Sequence, residues 1–165
     1  MIYNQIMKQK GTEMKTQKGF TLIELVVVIV ILGILAAIAL PRFIALDTEA
    51  RMGKMNGALG AVKAAAALAH ANAMVKGDAL VGLGTTIMEG ASIAMFNGYP
   101  DTPSDGTGIT AAAGGLTDYY VTYAGGTSMT VAPDASHTGC AFTYTVAASG
   151  AQPAITNNIL PGNCS

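Results

Sequence analysis

Histidine is nearly missing from this sequence, with only His70 and His137 among 165 residues. Neither stands in a pattern that would make it a catalytic base or a metal ligand, and the adjacency of Ser136 and His137 is no triad arrangement. Charge is also scarce, at 12% of residues. After Phe20, Arg42, Arg51, Lys54, Lys63 and Lys76 stand against nine acids, a net charge of −4. That balance leaves no basic footprint for nucleic acid. The glycines are scattered and form no phosphate-cradling motif. Asp101 and Asp105, followed by Gly106, lack the alternating spacing of a calcium loop and read as a turn. These shortages argue against an enzyme, and they require no metal and no cofactor. Cysteine is limited to Cys140 and Cys164, which fit neither a zinc spacing nor C-x-x-C. Two cysteines in an exported domain are expected to form a disulfide.

What the chain does have is apolar sequence, 51% overall, concentrated near one end. Every residue from 25 to 40 is apolar or glycine. A run of that kind reads as a membrane span, because about 20 apolar residues cross the hydrocarbon core. Ahead of it, Lys8, Lys10, Lys15 and Lys18 stand against Glu13, a net charge of +3 within residues 1–19. Basic residues before a span stay cytoplasmic, so the C-terminal part is expected to face outward. An ordinary secretory signal has a shorter core, of about 7–15 residues, and no use for a carboxylate such as Glu24. An acid inside a membrane helix costs about 2.5–3.5 kcal/mol on insertion scales and therefore asks for a function.

The stretch Lys18-Gly19-Phe20-Thr21-Leu22-Ile23-Glu24, followed by the apolar run, resembles the type IV pilin and pseudopilin precursors. The likeness is close over residues 14–51 and general beyond them. It implies that an inner-membrane prepilin peptidase cuts between Gly19 and Phe20, leaving 146 residues, and methylates the new N-terminus of Phe20. It also implies that Glu24 pairs with the Phe20 amine of a neighbouring subunit during assembly. The physics agrees, since a carboxylate buried in an apolar bundle requires a neutralising cation. Gly33 and Pro41 match the family's helix glycine and proline. Residues 14–19 alone would make a leader of ordinary length, so Met1 and Met14 both stand as starts.

Residues 20–75 contain one proline and no turn cluster, and they read as one long helix. Pro41 removes the backbone bond to Ala37 and crowds its carbonyl, so a kink is expected there. Gly33 and Pro41 delimit the weakest stretch, which either stretches under fibre tension, as the resemblance implies, or is an ordinary packing bend. Beyond Ala45, Met52, Met55, Leu59, Val62, Ala66, Ala69 and Ala73 recur at alternating spacings of three and four, a packing stripe. Glu49, Asn56, Lys63 and His70 follow its flank every seven residues. Gly53, Gly57 and Gly60 keep the helix thin enough for a sheet or neighbouring helices to approach closely.

Residues 77–115 read as a connecting region with a short helix at 85–96. Strands are expected at 118–124, 128–132 and 140–147, with a weaker one at 155–159. Gly125-Gly126 marks a hairpin turn. The fold class is α+β: a long N-terminal helix kinked at Pro41, packed on a small antiparallel sheet. The expected organisation is a removed leader at 1–19, a membrane and assembly half-helix at 20–44, and a globular head at 45–165. A Cys140–Cys164 bridge would contribute about 3–4 kcal/mol through loop entropy. The resemblance implies that the region it encloses is exposed and shapes subunit contacts and adhesion.

The expected function is that of a major type IV pilin, a homopolymer built by inner-membrane assembly machinery from a membrane pool. The product would be an extracellular pilus serving adhesion and biofilm formation. Pro41-Arg42-Phe43 and the leader are most similar to the mannose-sensitive haemagglutinin (MSHA) pilins. A major pseudopilin of a type II secretion system is the alternative within the family. A secreted binding module, cut after Ala37-Ile38-Ala39, is the alternative outside it; the long run, Glu24 and Pro41 weigh against that reading.

Overall fold

The computed structural model describes residues 19–78 and 80–165. The helix α1 spans Leu22–Lys76 and contains Pro41, the position expected to bend it, in its interior. The chain divides into two compact units, one ending at Leu40 and the other Pro41–Ser165. In the first unit, residues 22–40 rise about 28 Å at 1.5 Å per residue, close to the thickness of a hydrocarbon core. This is the one segment among the described residues long and apolar enough to cross a membrane. None of its most apolar window is buried against protein.

In the second unit the same helix has a buried stripe. Met55, Leu59, Val62, Ala66, Ala69 and Ala73 are all buried, as expected, and Met52 is partly buried beside them. The stripe divides along its length. Met55 to Ala66 pack with Met129, Val131, Phe142 and Tyr144, whereas Ala69 and Ala73 pack with Ile93 and Met95. The two clusters correspond to two sheets. The first sheet holds β1 (Leu83–Met88), β2 (Ala91–Phe96) and β3 (Tyr99–Pro100), in that order. The second is a four-stranded meander of β4 (Tyr120–Ala124), β5 (Ser128–Ala132), β6 (Phe142–Thr145) and β7 (Ala154–Asn157). Short helices α2 (Ile109–Ala112) and α3 (Pro161–Cys164) complete the unit.

The first sheet corrects the expectation of a short helix at 85–96. That segment is the β1–β2 hairpin, with Thr85 opposite Ala94 and Ile87 opposite Ser92. Its two-residue turn places Glu89 at φ 48° and Gly90 at φ 83°, both in the left-handed region that a right-twisted hairpin demands. The alanines and methionines there suit a helix, but Gly90 interrupts it and the β-branched Thr85, Thr86 and Ile87 favour pairing. Asn97-Gly98 forms a second such turn, at φ 50° and 80°, between β2 and β3. The region expected to be merely connecting therefore carries a sheet.

The second sheet lies where strands were expected. Met129 pairs with Tyr144, and Val131 with Phe142. All four side chains face the helix and are fully or almost fully buried. On the opposite face Thr130 and Thr143 share a hydrogen bond at 2.9 Å. The buried Tyr144 hydroxyl donates to the Pro100 carbonyl at 2.8 Å, so a core side chain of the second sheet reaches β3 of the first. Burial raises its phenol pKa, with the Asp101 charge adding to the effect.

Candidate processing and assembly site

Gly19 and Phe20 lie outside the helix and are exposed, Phe20 at 87%. The helix starts two residues later because Thr21 caps it. The Thr21 Oγ1 accepts from the Glu24 backbone N–H at 3.3 Å, and its carbonyl accepts from the Leu25 N–H at 3.2 Å. The Thr-x-x-Glu pattern of residues 21–24 is the sequence signature of such a start. That signal was present in the sequence, and it gives Thr21 a part that motif reading had overlooked. It also sets Glu24 in the first turn, where the helix dipole favours a carboxylate.

The Glu24 side chain is exposed and has no hydrogen-bond or ion-pair partner among the described residues. It is the one ionisable side chain between Phe20 and Leu40, so its charge lies at the entrance of a wholly apolar helix. Gly33 sits in that helix, and a Cβ placed there would meet nothing within 4 Å. Of the leader expected at 1–19, all but Gly19 lies outside the described residues.

At the other end of the chain, Cys140 and Cys164 are joined by a disulfide with Cα atoms 4.6 Å apart, and both are fully buried. Arg51 extends this tie to the helix, its Nη1 donating to the Cys164 carbonyl at 2.9 Å. Its other terminal nitrogen pairs with Asp47. Lys54 donates to the carbonyls of Asp118 and Pro133, at 2.6 and 3.0 Å, and lies over the Tyr119 ring. Both residues were counted only as charges in the sequence; the backbone carbonyls they reach are 64 or more positions away.

The remaining polar candidates serve turns. Asp101 Oδ1 accepts from the Thr102 N–H, and Asp105 Oδ1 accepts from the Thr107 N–H and hydroxyl. The Thr107 hydrogen bonds hold the Asp105 carboxyl below its ordinary pKa. His137 lies in a turn with Asp134, whose carboxylate meets its Nδ1 and accepts from the Ser136 and His137 N–H groups. The His137 hydrogen bond is the chief reason that the Asp134 pKa is lowered. Among the described residues no group of three or more His, Cys, Asp or Glu could hold a metal ion. A Cβ added at Gly53, Gly57 or Gly60 would meet nothing of this chain within 4 Å, so the thinness of the helix there does not serve the sheet.

Residues 14–40 match the prokaryotic N-terminal methylation motif. Over 56 residues the chain is 52% identical to a type IV narrow pilus major component of Thermus thermophilus, covering 34% of this chain and 48% of that protein. It is 52% identical over 52 residues to a type IV major alpha-pilin of Moraxella bovis, covering 32% of this chain and 33% of the relative. A longer match, 32% identical over 100 residues, joins it to a type IV major fimbrial protein of Dichelobacter nodosus, with 61% and 59% covered. The chain thus spans less than two thirds of the length of each of these relatives. No solved structure matches. The methylation motif, the membrane-length helix that follows it and the shared N-terminal sequence together support assignment of the chain to the type IV pilin and fimbrial family.

Proposed function

We propose that this chain is a prepilin, cut between Gly19 and Phe20, methylated at Phe20, and polymerised through its N-terminal helix into an extracellular fibre. The observation that carries the reading is Glu24, a lone carboxylate in the first turn of an apolar helix that nothing among the described residues of its own chain covers. In a bundle of such helices the charge is tolerable only beside a cation. The amine released at Phe20 is a cation of suitable placement when a neighbour is displaced along the fibre axis. Glu24 then acts as a register device. Packing of the helices removes the apolar surface that lipid covers before assembly.

The fibre proposed is a surface pilus of the MSHA type, acting in adhesion and biofilm formation, with prepilin peptidase and inner-membrane assembly machinery as partners. The disulfide-closed C-terminal segment supports a pilin over a pseudopilin. Intact-mass and N-terminal peptide mass spectrometry of protein sheared from cells tests the processing. A chain beginning at methylated Phe20 is expected; one beginning at Leu40 would mean a secreted module and end the assembly argument. Loss of surface fibres in cells lacking the gene is expected for a pilin, whereas loss of enzyme secretion would reassign the chain as a pseudopilin.

A further inference from the structure

Two members of the helix flank, Lys63 and His70, are left over when the stripe beside them is buried. Both line a groove of about 520 Å³ in the second unit, walled on its other sides by Tyr99 of β3, by Gln152 and Pro153 ahead of β7, and by Ile155 within it. A neighbouring hollow of about 340 Å³ shares His70, Tyr99 and Gln152. The size lies within the range of about 300–1,000 Å³ usual for small-molecule sites. The groove runs between the two sheets and was invisible in the sequence, because 29 positions separate His70 from Tyr99 and 53 separate Tyr99 from Gln152.

Two of its polar side chains, His70 and Tyr99, are held against each other, and the rest are unpartnered among the described residues. The His70 ring stacks on Tyr99 with centroids 4.1 Å apart and planes 5° from parallel. Its Nδ1 lies 2.7 Å from the Gly98 carbonyl oxygen. A carbonyl only accepts, so Nδ1 carries the proton, and in the uncharged form of the ring Nε2 is left as an acceptor. The Tyr99 hydroxyl, the Gln152 amide and the Lys63 ammonium have no hydrogen-bond or ion-pair partner among the described residues. The groove therefore presents one cation, an amide and a hydroxyl that each donate and accept, and one acceptor, beside the apolar surface of Pro153 and Ile155. No carboxylate lines either hollow.

We propose that this groove binds an acidic saccharide unit, a hexuronate ring whose carboxylate meets Lys63. Its hydroxyls exchange hydrogen bonds with Tyr99, Gln152 and His70, and its C–H face lies on Pro153 and Ile155. A neutral sugar leaves the ammonium unpaired. A phosphate dianion asks for more than a single flexible cation, whereas one lysine matches one carboxylate. A flat apolar amino acid side chain would leave four polar groups desolvated without partners. The inference goes beyond fibre formation and does not rest on polymerisation.

The test titrates detergent-solubilised full chain with a hexuronate trisaccharide and with a neutral hexose trisaccharide, read by saturation-transfer NMR and calorimetry. Saturable hexuronate binding is expected, about tenfold tighter than that of the neutral sugar, as a charge-assisted contact implies. Lys63→Ala is expected to weaken it about fivefold and Lys63→Arg to restore it within about twofold, the scale of a partly exposed ion pair. Lys63 is exposed on the helix, so the melting transition of both variants should match that of the parent. Equal binding of the neutral sugar, absence of hexuronate binding, or undiminished binding by Lys63→Ala would each overturn the proposal. So would preferential capture of a peptide with a free C-terminal carboxylate, which would reassign the groove to protein contacts. Processing at Phe20 is read separately by mass, so failure of one inference is distinguishable from failure of the other.

Discussion

Residues 22–40 and residues 52–73 belong to one helix yet obey different solvents. In the first stretch every large side chain is at least 40% exposed, and in the second Met55, Val62, Ala69 and Ala73 are completely buried. The first has no face: beyond Glu24 its side chains are apolar all round, as suits lipid or a bundle of like helices. The second has a narrow stripe, because only one side meets a sheet. The difference teaches that the apolar stretch contributes little to the stability of the head and that the head contributes little to the apolar stretch. The first is stabilised by its own backbone bonds and its surroundings, the second by side chains of strands far along the chain.

The comparison is broken most forcefully at Glu24. Glu24→Ala is expected to reduce fibre yield by about tenfold or more, the scale of losing one buried charge pair. Cleavage after Gly19 and the melting of the head should be unchanged, as electron microscopy, mass spectrometry and near-ultraviolet dichroism would check. Normal fibre yield would remove Glu24 from the assembly role. The converse change is Phe142→Ala, which empties a core position and is expected to cost about 3–5 kcal/mol in denaturant titration with cleavage unaffected. A change smaller than about 1 kcal/mol would mean that the sheet does not anchor the helix stripe.

Reduction of Cys140–Cys164 sharpens the same contrast within the head. Its expected cost of about 3–4 kcal/mol comes from freeing a closed loop in the unfolded chain. Limited proteolysis should then cut residues 148–165 faster, and unchanged cutting would show that Arg51 and the sheet suffice to hold the tail. Thr21→Ala should cost about 1 kcal/mol at the helix start, seen as faster hydrogen exchange at Glu24 and Leu25 and not in the head. The smallest effect concerns the turn at Asp134. Its lowered carboxyl pKa makes a contribution present above the ordinary value of 3.8 and lost as pH falls below it. NMR shifts of Ser136 and His137 should move in that window and be abolished by Asp134→Ala.

Much of this contrast was legible beforehand. The Leu22–Lys76 helix, the stripe, strand β5 at Ser128–Ala132 and the Gly125-Gly126 turn follow from period, composition and a glycine pair, all of which act over a few residues. Residues 85–96 did not, because the alanines and methionines that suit a helix there are outweighed by pairing across the Glu89-Gly90 turn. The dipeptide Asn97-Gly98, a hairpin signal in its own right, was the local clue. At the candidate site, the residues Gly19, Phe20 and Glu24 stood out by motif, while Thr21 required attention to its spacing from Glu24.

By itself the sequence determined where the apolar helix lies, where it meets its first charge and which stripe of its second half is buried. Those properties depend on neighbours within one or two helical turns. Only the tertiary structure decided that the stripe serves two sheets, that Arg51 holds the last turn beside the disulfide, and that Lys63, His70, Tyr99 and Gln152 share one groove. Such groupings join residues distant along the chain, and loop-closure entropy varies too slowly with loop length to single out one of them before the core has closed.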